Sequence, residues 1–238
     1  MRRVGLGESA ALLRAALVPY QAAPARLFGM FLLLSLPIYF LLDGDIVGLC
    51  LKEALAAVVY VGYTFVLDLA SRAEAPELKQ LGVIMALGRD RLLLLVASGV
   101  GPVLFGLLVL YVTWGADQTS AFLADLARGP GKESPAMAFD LWVVETVASI
   151  PFTFIAPVCA LYRWSASRSM GANLLACAVN WRWVLVTTAV FAAADRMLVL
   201  LSHQGPGPAL LALAGVLAMQ AFSLSWILAL TRLSFPPR

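Results

Sequence analysis

The sequence predicts an all-α polytopic membrane bundle of six transmembrane helices with interfacial amphipathic helices. Three observations lead there. Hydrophobic residues make up 61% of the 238, where a soluble domain has about 45–50%. Charged residues make up only 13%, where about 25% is usual. The charges also punctuate apolar runs near the roughly 20 residues a membrane-spanning helix needs. Such a chain has too little polar surface to cover a water-soluble globule, and the same figures exclude disorder, coiled coil, collagen and nucleic-acid binding. We read residues 1–238 as one integral membrane domain.

The elements follow in order. Leu6, Ala10, Leu13, Leu17 and Tyr20 are spaced four, three, four and three apart, with Arg14 on another face. That pattern predicts an amphipathic helix over about 5–20 lying on the bilayer surface. Glu8 and Arg14 interrupt the apolar run that a cleaved signal needs, so the segment is read as uncleaved. The first span is 27–42, charge-free, with Arg26 able to snorkel at its edge. Asp43-Gly44-Asp45 turns the chain into 47–68, which reaches span length only by including Lys52 and Glu53, or Asp68. Residues 77–87 read as a second surface helix, and 92–114 is long enough unaided. The loop 117–139 carries a short helix at 121–126, stopped by Gly129-Pro130. The span 140–162 includes Glu145. Pro151 and Pro157 should kink it, with Ser149, Thr153 or water meeting the freed carbonyls. A third surface helix covers 169–179. The span 183–203 needs Asp195 and Arg196 inside it. Gly205-Pro206-Gly207-Pro208 breaks the run before the last span, 207–231, whose Ala214, Ala218, Ala221 and Ser225 form a small-residue seam for packing within the chain.

Basic residues orient the bundle. With the N-terminus inside, Arg2, Arg3, Arg14, Arg26, Arg72, Lys79, Arg89, Arg91, Arg163, Arg168, Arg182, Arg232 and Arg238 all face the cytoplasm. Lys52, Arg128, Lys132 and Arg196 remain for the other side. The positive-inside rule then places both termini in the cytoplasm. Trp114 and Trp142 fall at outer helix ends and Trp164, Trp181 and Trp183 at inner ends, as an aromatic belt requires. Glu53 and Glu145 occupy equivalent outer positions in two hairpins at one constant offset. This is consistent with two related hairpins, and equally with the general likeness of any two hairpins.

Ionisable residues inside spans are the candidate functional residues. Glu53, Tyr60, Thr64 and Asp68 share one face of the second span, Glu145 and Ser149 one face of the fourth, and Asp195 lies in the fifth. Together with Lys52 and Arg196 they form a candidate intramembrane polar cluster. Its readings are a polar vestibule for a solute, ion or proton, or an ion-pair clamp holding the bundle. Arg196 is expected to pair with Glu145, because the two sit at similar depth on neighbouring helices and Asp195 points about 100° away from Arg196.

No enzyme chemistry stands out. His203 is the one histidine, Cys50, Cys159 and Cys177 read as core residues, and no CxxC, HxxxH or GxSxG spacing occurs. No enzyme activity, metal or cofactor is expected. Phe154-Ile155-Ala156-Pro157, followed by a polar surface helix and Asn180-Trp181, resembles a family of uncharacterised proteobacterial inner-membrane proteins. That family is similar to the membrane domain found beside some bacterial glycerophosphodiester phosphodiesterases. The element here is Val179-Asn180-Trp181-Arg182, without the family's Arg before Asn. The resemblance covers the C-terminal half and implies a six-helix bundle, no reaction and no site residues. The leading expectation is a non-enzymatic protein with an accessory, scaffolding or lipid-contacting role, its partners being the bilayer and either a protein or a lipid ligand. The alternatives are a small transporter or channel component, and an immunity protein against a membrane-directed toxin. The sequence leaves the oligomeric state open.

Overall fold

The computed structural model describes residues 1–41, 45–127, 134–162, 164–202 and 205–235, with the backbone alone at 6, 22, 39–41, 195, 198–202 and 206. Among the described residues there are ten α-helices, three 3-10 segments and no strand. A 3-10 turn at Leu6–Glu8 leads into α1 (Ser9–Ala22), then α2 (Pro24–Leu41) and α3 (Ile46–Ala70). A 3-10 segment at Leu78–Ala86 precedes α4 (Arg89–Trp114) and α5 (Ala116–Ala127). Then come α6 (Pro135–Ser149), a 3-10 turn at Ile150–Phe152, α7 (Ile155–Leu161), α8 (Ala166–Val179), α9 (Trp181–Ser202) and α10 (Pro206–Ser234).

Four stretches are long and apolar enough to cross a membrane: α3, α4, the broken run Pro135–Leu161, and α10. The count is six if each bent pair, α1 with α2 and α8 with α9, makes one span. The bends are 86° between α1 and α2 and 88° between α8 and α9, so α1 and α8 run across the helices that follow them, as surface helices should. Local signals set several ends. Asp45 caps α3 by accepting from the Gly48 N–H at 2.6 Å. Gly115, at φ +86°, separates α4 from α5 in a conformation that L side chains rarely adopt. Glu77 and Gln80 form a capping box at 77–80.

The structure corrects three local expectations. The apolar stripe of α1 is rotated: Leu12 and Ala16 are fully buried against α10, while Leu13 and Leu17 face outward. The packing partner selects the buried face here, because both faces of the helix are apolar enough to serve. Residues 78–86 form a 3-10 helix with no buried residue. On α8 the buried face is the polar one, Ser169, Asn173 and Ala176, and Leu174 and Leu175 lie outside. The short helix expected at 121–126 is present but longer, 116–127, and the Gly129-Pro130 stop lies outside the described residues.

Four apolar seams hold the bundle, one of them joining α3, α4 and α7 through Val61, Leu95 and Ile155. Phe31 and Tyr63, with ring centroids 4.8 Å apart, centre the packing of α2, α3 and α10. Leu12, Phe154, Trp183 and Leu230 join α1, α7, α9 and α10. Val103, Phe122 and Leu141 join α4, α5 and α6. Half of the small-residue stripe on α10 serves this purpose. Tyr20 Oη donates to the Ala221 carbonyl at 2.7 Å and Ser225 Oγ to the Ala16 carbonyl at 2.6 Å, whereas Ala214 and Ala218 are exposed.

Helices α3 and α4 approach closely at Gly99. A Cβ there would stand 2.4 Å from the Glu53 carbonyl oxygen, a backbone atom that cannot swing aside. Gly99→Val should therefore force the two helices apart and cost about 1–3 kcal/mol. Gly101, with open space around its Cβ position, is the matched control. Thermal unfolding in detergent should show a clear drop for Gly99→Val and little change for Gly101→Val. Equal stabilities would refute the close approach.

Candidate functional site

A cavity of about 400 Å³ lies inside the bundle, lined from α3, α4, α6, α7, α9 and α10. It lies beside the break in the span 135–161. Pro151 has no N–H to donate and α-helix gives way to a 3-10 turn at Ile150–Phe152. In a membrane the groups freed at such a break must be satisfied by the protein. Thr153 Oγ1 donates to the Ile150 carbonyl at 2.7 Å, as the sequence suggested. The main partner comes from elsewhere: Asn173 on α8 accepts from the Phe154 N–H at 2.9 Å and donates to the Pro151 carbonyl. Pro157 sits in the first turn of α7 and breaks nothing.

α9 packs on α10 and meets the broken span mainly at the 3-10 turn. The cavity is open rather than enclosed, and Trp142, Thr146 and Ser149 on one wall face Thr188, Phe191 and Ala192 on the other. Glu53, Tyr60, Ser98 and Gly99 form its floor on α3 and α4, and Gln220 and Ser223 come from α10. A second cavity of about 110 Å³ adjoins it, sharing Glu53, Tyr60 and Gln220 and adding Lys52 and Ser35. Glu53 thus stands between two hollows. Its carboxylate is in no ion pair among the described residues, and Lys52 next to it acts on it electrostatically.

The candidate polar residues separate into distinct places. Glu53, Tyr60 and Ser149 line the larger cavity and Lys52 the smaller. Glu145 sits behind the wall, packed by Gly106 of α4, with Oε1 buried and without a hydrogen-bond partner. Its charge and that of Glu53 act on each other. Arg196 does not reach it. Instead the guanidinium lies 5.5 Å from the Phe139 ring centre and 5.9 Å from that of Trp142, and it bridges α9 to α6 at the edge of the gap. The expected Arg196–Glu145 pair is thereby overturned: Phe139 and Trp142 present aromatic faces to a cation, while Glu145 points toward α4. Thr64 is fully buried, its hydroxyl without a partner among the described residues, and it lines neither cavity. The Asp195 side chain lies outside the described residues.

Asp68 belongs to a different device. It lies fifteen residues from Glu53 on α3, about 22 Å along the axis. Fully buried Val61, Tyr63 and Leu67 fill the interior between them. Arg232 of α10 donates Nε to Asp68 Oδ1 at 3.0 Å and Nη2 to both Oδ1 and the Asp68 carbonyl, and Arg72 approaches Oδ2 at 2.8 Å. The carboxylate is thus held by two guanidinia, one of them also bound to backbone. This is the ion-pair clamp that the sequence offered as the alternative to a vestibule, located at the opposite end of α3 from the cavity.

The residues that sequence reasoning missed are Trp142, Phe152, Phe191 and Gln220. Gln220 carried a signal, a lone amide within an apolar span. The aromatic residues carried none, since they read like any lipid-facing position. In comparison with family models, curated proteins and solved structures, nothing matches this chain.

Asp68→Ala would strand Arg232. Because that guanidinium is one-third exposed and can turn to water, the loss should fall below the roughly 3–5 kcal/mol of a fully buried broken pair. In a double-mutant cycle read by thermal unfolding, Asp68→Ala and Arg232→Ala together should cost clearly less than the sum of the two. Additive losses would mean that the clamp contributes nothing.

Proposed function

We propose that this chain is a non-enzymatic, multi-pass protein of the bacterial inner membrane that holds an amphiphilic molecule drawn from the bilayer, in an accessory, lipid-contacting role. The observation that carries the reading is the cavity itself. It has the volume of a small-molecule site, about 300–1,000 Å³. Hydroxyls and a carboxylate line it, and two of its walls come from α6 and α9. A head group can sit among Glu53, Ser98 and Ser223 while its tail leaves between the helices into lipid. The resemblance of 154–157 and 179–182 to a family of inner-membrane proteins agrees with this reading.

A transporter is the second reading, favoured by the intramembrane position of Glu53 and Glu145. It would need the polar space to continue toward Asp68, and Tyr63 and Leu67 occupy that path. We further propose that the Asp68–Arg232 end is cytoplasmic, as are both termini. The basic residues gathered at that end support this.

Two experiments test the proposal. Native mass spectrometry of the protein released from its membrane should detect one retained amphiphile per chain, and Ala192→Trp, which fills the gap from the α9 wall, should lose it. A wild-type protein that carries nothing above detergent background would count against the reading. For orientation, a reporter fused after 131 should be active only in the periplasm and one fused after 238 only in the cytoplasm. The reverse pattern would invert the bundle.

A further inference from the structure

We infer that the amphiphile taken by this cavity carries a cationic, ammonium-type head. The inference rests on the amphiphile-binding reading above and names the ligand class of the same site. Among the described residues that line the larger cavity, Glu53 is the charged one, and it is in no ion pair there. Lys52 lies toward the smaller cavity and Arg196 at the edge of the gap, so neither supplies a cation to the lining. Four aromatic side chains line the same cavity: Tyr60 from α3, Trp142 from α6, Phe152 from the 3-10 turn and Phe191 from α9. Aromatic faces beside one carboxylate suit an organic cation, which gains from the ring quadrupoles and keeps its hydrocarbon surface against apolar walls. The rim already illustrates the chemistry, because the Arg196 guanidinium lies over Phe139 and Trp142. An anionic head would meet the Glu53 carboxylate, and like charges in a poorly solvated site repel strongly. A small inorganic cation is a poor fit, since no group of three potential metal ligands occurs among the described residues.

The test uses the full chain in nanodiscs and three amphiphiles with the same brominated twelve-carbon tail: a trimethylammonium, an uncharged glycol and a sulfate. Saturable quenching of tryptophan fluorescence that disappears in Trp142→Phe reports occupancy of the cavity. The trimethylammonium compound should bind at least about tenfold more tightly than the glycol, and the sulfate most weakly. Glu53→Gln, shown to be folded by circular dichroism and thermal unfolding, should remove the tenfold margin. Equal saturable binding of cationic and uncharged compounds would overturn the head-group inference and leave the amphiphile reading standing. A margin that survives Glu53→Gln would overturn the assignment of Glu53. If none of the three quenches Trp142 saturably, the amphiphile reading fails, and the inference with it.

Discussion

The architecture depends on the need to satisfy backbone polar groups where a membrane span breaks. At Pro151 the helix 135–149 loses its ladder, and hydrocarbon offers no water to replace it. Asn173 closes the gap with one amide that accepts from Phe154 N–H and donates to the Pro151 carbonyl. That bond requires α8 to cross the broken span with its polar face inward, which explains why Ser169 and Asn173 are fully buried while Leu174 and Leu175 are outside. Phe152 and Thr153 at this break line the cavity together with Trp142 of α6 and Phe191 of α9.

A second asparagine on the same face extends this logic to the ends of the chain. Asn180 accepts from the Val4 N–H at 2.8 Å and donates to Ser234 Oγ at 3.0 Å, while the Arg2 N–H reaches the Ser234 carbonyl at 2.8 Å. The residues before α1, the α8–α9 corner and the last turn of α10 are thereby fastened at one point. Removing the Asn180 amide would strand the Val4 N–H, a loss of about 1–3 kcal/mol, while Ser234 Oγ would keep its bond to the Leu230 carbonyl.

The two sets of intramembrane charge differ in how completely they are partnered. Asp68 has two guanidinia around it and backbone beside it, so its charge is neutralised where it stands and stabilises the junction of α3 and α10. Glu53 faces open volume, and Glu145 keeps a buried oxygen without a hydrogen bond. A fully partnered buried charge has its electrostatic demand met within the fold. An under-partnered one can be compensated by an incoming group. The contrast turns one end of α3 into a clamp and the other into a candidate site.

Composition and the spacing of charges determined the helical membrane class and the order of the helices, because insertion free energy is nearly additive along the chain. They also placed Glu53, Tyr60 and Ser149 on inward faces, since helical periodicity carries polar positions to one side regardless of neighbours. Only the tertiary structure decided which polar residues meet. Asp68 shares a face with Glu53 yet lies far away along the axis, and it found Arg232, which no local pattern linked to it. Arg196 took Phe139 and Trp142 over Glu145, a choice set by side-chain direction. Trp142, Phe152 and Phe191 became cavity walls for the same reason. A sequence records that a residue is apolar, but whether it faces lipid, a neighbouring helix or a void depends on the rotation and separation of helices, and here those follow from one asparagine closing one broken span.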